Sequence, residues 1–235
     1  MSGTHSDAPK SPTGYSWQKS AVLSDAVLEP LYALNWEFLT IVPRFSRQWR
    51  AADSGPRLPD PVWAQLLAMR PEQVRELARC PFSLFSARFE DETYWEDIAA
   101  GEAASVASSS PDTDPLLRRL REFAQLALFY AWHLALSNPG AARVILGMTE
   151  GAGEVFRHFT LIRLQQIAQE SPLMFEPRWP SRPVFWHTLL SGGSAEKGDR
   201  IDLRLLGLQI LAADYDASSG PAPTPPLNRR LNRRT

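Results

Sequence analysis

Between Asn138 and Trp186 the chain marks its own helix boundaries, and this punctuation constrains the fold more than any other feature. The stretch reads NPGAARVILGMTEGAGEVFRHFTLIRLQQIAQESPLMFEPRWPSRPVFW. Pro139 suits the first position of a helix, where the N–H it lacks has no partner within the helix anyway. Thr149 and Thr160 are hydroxyl residues placed to cap the next two helices. Gly147 falls where the first helix must turn. The expectation is three short helices followed by an extended aromatic segment, the grammar of a helix-turn-helix unit.

The rest of the chain supplies the setting. The 235 residues have room for one large or two small domains. With 44% hydrophobic and 22% charged residues the composition is that of an ordinary globular protein. A formal net charge of -1 offers no global attraction for nucleic acid, so such a function would need local basic patches. Eight tryptophans point to packing and interfaces. The single cysteine, Cys80, excludes an internal disulfide and a cysteine-rich zinc site. It is expected to be a buried thiol. The N-terminus has no apolar signal-peptide core, and the longest apolar run, Gln125 to Leu136, is too short to span a bilayer. These features predict a cytoplasmic protein without a membrane partner.

Residues 1–20 are small and polar and are expected to be disordered. A first helical repeat then covers 21–98. Its opening helix places Leu31, Leu34, Phe38 and Val42 on one face and ends or kinks at Pro43, with 44–58 a loop. Asp60-Pro61 reads as a cap and helix start, and Pro71 opens a helix carrying Val74, Leu77 and Ala78 inward. CPFSLFSARF is extended, and Asp91 caps DETYWEDIAA. Residues 99–115 form a linker. A second repeat, 116–192, begins with the longest helix, whose apolar positions include Leu117, Leu120, Phe123, Leu126, Leu128 and Tyr130. A C-terminal helix is expected in 193–216, and a disordered basic tail in 217–235.

The two halves align at an offset of 90. Residues 66–89 fall on 156–179, bringing Ala78 onto Ala168, Phe85 onto Phe175 and Arg88 onto Arg178, with Trp95 beside Phe185 and Trp186. The common order of helix, helix, aromatic segment and Trp-bearing helix suggests an internal duplication. The predicted fold class is therefore all-α, with two related helical halves, helix-turn-helix-like units and short extended aromatic segments.

With Leu146-Gly147, Thr149, Thr160 and Ile167-Ala168 in place, the segment ARVILGMTEGAGEVFRHFTLIRLQQIAQ resembles the C-terminal region of FlhD. The following SPLMFEPRWPSRPVFW resembles the Pro/Phe/Trp segment of its partner FlhC. The resemblance to this flagellar master-regulator family implies an α-helical transcriptional activator that assembles with itself or a partner subunit and binds DNA. The chain departs from FlhC in lacking its four-cysteine zinc site, and it carries both halves in one polypeptide.

DNA binding requires cations facing phosphate. The second half offers Arg143, Arg157, His158, Arg163, Arg178 and Arg182, and the tail NRRLNRRT adds Arg229, Arg230, Arg233 and Arg234. Arg70, Arg75, Arg79 and Arg88 are the first-half counterparts. Glu150 and Glu154 lie on the helix that would serve for recognition and would repel phosphate. Glu154 and His158 share a helix face at i, i+4, but two ligands do not make a metal site. His133, in an apolar helix, is expected to be a satisfied core histidine. No phosphate loop, HExxH or GxSxG motif is present. Neither catalysis, a cofactor, a metal nor a small-molecule substrate is expected. Two readings remain: an FlhD/FlhC-like regulator, or a non-enzymatic protein-interaction adaptor of a bacterial secretion or mobile-element machine. A coherent arginine face across 143–182 favours the first; alternating signs favour the second.

Overall fold

A computed structural model describes residues 24–51, 58–101 and 114–192. Expectations for 1–20, the interior of the 99–115 linker, the 193–216 helix and the 217–235 tail, with its four arginines, lie outside the described residues. Within them the chain is mostly helical, with one two-stranded sheet.

The first long helix, α1 (Asp25–Ala51), contains both Pro30 and Pro43. The sequence reading ended or kinked it at Pro43 and made 44–58 a loop; residues 44–51 are helical instead. Before Pro43, Leu31, Leu34, Phe38, Leu39 and Ile41 are all buried against the rest of the protein. Helix α2 (Asp60–Ala68) begins at its expected cap, one residue before the expected start at Pro61. Pro59 holds the N-cap position, Asp60 is already helical, and no side chain caps this end. Helix α3 (Pro71–Leu77) buries Val74 and Leu77, and Ala78 is buried just beyond it. Strand β1 (Phe85–Ser86) precedes α4 (Glu92–Ala100), where the Asp91 carboxylate accepts the Tyr94 N–H at 3.0 Å.

Helix α5 (Pro115–Ser137) is the axle of the second half and packs on α1, α7 and α8. A bidentate pair fastens it to α1, with Arg119 Nε and Nη2 donating to the Glu37 carboxylate at 2.6 and 3.0 Å. Two expected core positions face outward on α5: Leu126 is 59% exposed, and His133 is exposed rather than a core histidine. Helix α6 (Pro139–Ala141) and a π-helical turn (Ala142–Leu146) lead into α7 (Glu150–His158) and α8 (Leu161–Glu170). A 3-10 turn (Pro172–Met174) and strand β2 (Glu176–Pro177) follow. Phe185 and Trp186, which the boundary pattern ran into an extended segment and the repeat alignment set beside a Trp-bearing helix, lie in helix α9 (Pro183–Gly192).

Corresponding elements start at regular intervals. Starts at 25, 60 and 71 (α1, α2, α3) recur 90 residues later at 115, 150 and 161 (α5, α7, α8). Starts at 85 and 92 (β1, α4) recur 91 later at 176 and 183 (β2, α9). The one-residue slip follows α8, which is longer than α3. The contacts cross between halves: α4 packs on α7 and α2 on α9. The strands pair antiparallel, Phe85 with Pro177 and Ser86 with Glu176. Each half also has one non-glycine residue at positive φ before its Trp-bearing helix, Arg88 (57°) and Trp179 (53°). In each, the tryptophan indole donates back to the preceding turn, Trp95 to Arg88 O at 3.1 Å and Trp186 to Arg178 O at 2.9 Å.

One continuous core holds both halves. At its centre Phe38, Phe85, Phe123 and Phe175 meet with ring centroids 5.1–5.9 Å apart. Phe89, Trp95, Phe156 and Phe159 fill the α4–α7 junction, and Phe82, Trp179, Phe185 and Trp186 cluster beside α9. Trp63, Trp95 and Trp186 are buried, and Trp36, Trp132 and Trp179 pack against this core, as the composition suggested. Cys80 is a buried thiol donating to Leu77 O at 3.1 Å. Wholly buried Asn35 ties α1 to the irregular 78–84 segment. Its amide nitrogen donates to Ala78 O (3.2 Å) and Phe82 O (3.0 Å), and its oxygen accepts the Leu84 N–H (2.9 Å).

Candidate binding cleft

Three local capping contacts shape the 138–170 region. Asn138 Oδ1 accepts the Ala141 N–H at 3.0 Å, Thr149 Oγ1 the Ala152 N–H at 3.2 Å, and Thr160 Oγ1 the Arg163 N–H at 3.2 Å. Each satisfies a donor that a helix start leaves without a partner. Gly147 ends the π-helical turn at φ 73°, a left-handed conformation that glycine adopts without steric cost. A Cβ there would also collide with the Arg178 guanidinium. Thr149 N–H donates to Phe89 O at 3.1 Å, so the unit is bonded to the first half at its turn.

A cleft of about 420 Å³ opens between the Pro139–Leu146 segment and α7. Its floor is small and apolar: Ala135, Pro139, Gly140, Ala142 and Gly153, with Met148 alongside. Arg143 lines it from the π-helical turn, and Arg157 from the last turn of α7. Thr149 and Glu150 complete it at the start of α7.

Of the candidate cations among the described residues, Arg143 and Arg157 line this cleft, and His158, Arg163, Arg178 and Arg182 do not. Arg157 pairs with Glu154. His158 is exposed on the outer side of α7, its Nδ1 2.8 Å from Glu154 O and 3.8 Å from the Glu154 carboxylate. Arg163 turns to α4, where Nη2 donates to Ile98 O at 3.1 Å, and it lies 3.9 Å from Glu170. Arg178 is interior and does not belong to any exposed face: at 6% exposure, its Nη1 donates to Ile145 O (2.7 Å) and Ser83 Oγ (3.2 Å). Arg182 is exposed just before α9. In the first half Arg88 pairs with Asp91 and lies over the Tyr94 ring, while Arg79 lies over Tyr32.

Carboxylates are numerous on α4 and α7. Helix α4 and the turn before it carry Glu90, Asp91, Glu92, Glu96 and Asp97, and α7, packed on α4, adds Glu150 and Glu154. Asp91 is held below its ordinary range, first by the Tyr94 backbone N–H and then by Arg88. Among the described residues no group of three or more side chains is arranged to hold a metal ion. Nor, among them, is any helix long and apolar enough to cross a membrane.

The sequence reading found the caps at Asp91, Thr149 and Thr160; it named Arg143 and Arg157 as DNA-binding candidates and did not see the cleft. Its walls come from segments folded against each other, and the only local sign was the glycine-rich EGAGE run. Comparison with protein-family models, curated proteins and solved structures yields no match to this chain.

Proposed function

We propose that this chain is a non-enzymatic protein-interaction adaptor built on an internal duplication, whose helix-turn-helix-like 138–170 unit serves packing and partner binding rather than DNA reading. One observation carries the choice: the arginines of 143–182 form no coherent cationic face. Arg157 is matched by Glu154, Arg163 is turned to Ile98 and Glu170, and Arg178 is inside. The helix that would enter a groove presents Glu150 and Glu154 beside the α4 carboxylates. Phosphate approaching this side meets a net negative surface, which opposes the electrostatic term on which DNA affinity depends. The 90- and 91-residue spacing of element starts, the crossed α4–α7 and α2–α9 packing and the antiparallel β1–β2 pair support the duplication. In this reading the FlhD/FlhC resemblance concerns assembly, and any homo-oligomer or partner complex forms through protein surfaces.

The regulator remains the second reading, favoured by the meeting of Arg143 and Arg157 beside α7. Gel-shift titration of the full chain against genomic fragments, from about 50 to about 200 mM salt, separates the two. The adaptor is expected to give no saturable, salt-dependent shift. A shift that weakens steeply with salt and is reduced in an Arg157→Ala/Arg163→Ala variant would restore the regulator.

A further inference from the structure

We infer that the chain pairs with a second copy of itself through the outer face of α5, about a two-fold axis. The inference does not depend on the choice between adaptor and regulator. Helix α5 is apolar on two opposite sides. Leu120, Ala124, Ala127, Ala131 and Leu134 belong to its buried side. On the other side Leu126 is 59% exposed and Leu136 46%, with half-buried Phe129 and exposed His133 between them. Positions 126, 129, 133 and 136 have the alternating three-and-four spacing of a helix–helix seam. A helix with apolar side chains all round is expected to be buried all round, yet among the described residues this second side is left open. The first turn of α8 adds to it. The Trp132 indole donates to Phe159 O at 3.0 Å, which sets the start of α8 against α5 at that level. Leu161 and Ile162 follow, 47% and 71% exposed.

Charge selects the occupant. A two-fold contact sets a patch against its own copy, so a formal charge near the axis meets its like. No Asp, Glu, Lys or Arg occurs from Phe123 to Ala142. The exposed side of α8 continues with Gln165, Gln166 and Gln169, and Arg163 is turned to Ile98 O. This face therefore meets its own copy without repulsion, whereas the carboxylates of α4 and α7 would repel theirs. A charged partner finds no counter-charge on the α5 stretch. A lipid surface fits poorly too, since helices that lie on membranes carry Lys and Arg on their polar face.

The test is analytical ultracentrifugation of the full chain from about 1 to about 100 µM, where a small interface dissociates. A reversible monomer–dimer equilibrium is expected, with a melting temperature that rises with concentration. Leu126→Glu/Leu136→Glu and Leu126→Lys/Leu136→Lys should each raise the dissociation constant by about a hundredfold or more, because like charges then meet. At about 1 µM both variants should melt close to the parent, since the replaced side chains are exposed. An equimolar mixture of the two should dimerise again, because opposite charges meet whichever way the paired helices run. A folding defect cannot produce that rescue. A parent that stays monomeric up to about 100 µM would overturn the proposal. If the variants then also melted far below it, the face would belong to another part of the same chain, such as the apolar 201–214 stretch. A dimer that survives both substitutions, or a mixture that stays monomeric, would overturn it as well. The DNA titration bears on none of these outcomes.

Discussion

Asn35 and Arg178 are the two polar side chains on which the interior depends most, and neither could be singled out from local sequence. Asn35 serves backbone groups 43 to 49 positions away. Arg178 reaches Ile145, whose carbonyl also accepts the Ser83 N–H at 2.9 Å. Such partners become visible only when the chain is folded, whereas Thr149 and Thr160 cap donors three residues on and were legible at once. Replacing Asn35 with Leu leaves Phe82 O and Leu84 N buried without this partner, and is expected to cost about 4 kcal/mol in urea unfolding. Arg178→Met, which keeps the aliphatic stem, should cost about 2–3 kcal/mol through its lost charge-assisted bonds. His158→Ala, on the exposed side of α7, should stay within about 0.5 kcal/mol of the parent. An Arg178 variant as stable as the parent would show that its side chain belongs to the surface after all.

Among the elements, α7 joins the fold to the cleft. Its N-terminal turn is held by Thr149, whose side chain caps the helix and whose N–H reaches the first half. Thr149→Ala should destabilise by about 1 kcal/mol, the usual worth of a cap. Strand β2 carries a pH-dependent group. Burial, and then the nearby Glu90 carboxylate, raise the Glu176 carboxyl above its ordinary value of 4.5. The native state holds this proton to higher pH than the unfolded chain, so the group weakens the fold progressively as pH rises from about 4.5 through its folded value. Glu176→Gln should accordingly raise the urea midpoint at pH 7, with the gain vanishing below pH 4.5. An equal effect at both pH values would contradict the assignment. Elements with local signals were read well from sequence. Those governed by distant packing were not: α1 beyond Pro43 is helical against its own punctuation, and at α9 the local aromatic and proline content pointed to extended chain while the repeat alignment pointed to a Trp-bearing helix.

At the scale of the whole molecule, the halves share one core and exchange partners. The second-half α7 packs on first-half α4, first-half α2 packs on second-half α9, and the sheet takes one strand from each. The recurrence of element starts lies in the order of residues; the crossing does not, since no local pattern tells a helix which half it will meet. The consequence bears on function. A DNA-reading head would be expected to stand as a module, whereas here the 138–170 unit completes the first half's packing, with Phe156 against Trp95 at 4.5 Å between centroids. The direct test is the thermal unfolding of residues 114–235 expressed alone, followed by circular dichroism and tryptophan fluorescence, beside the full chain. The account predicts no cooperative transition for the fragment, because α7 loses α4 and β2 loses β1. A sharp transition near that of the full chain, with α9's Trp186 still buried, would contradict it.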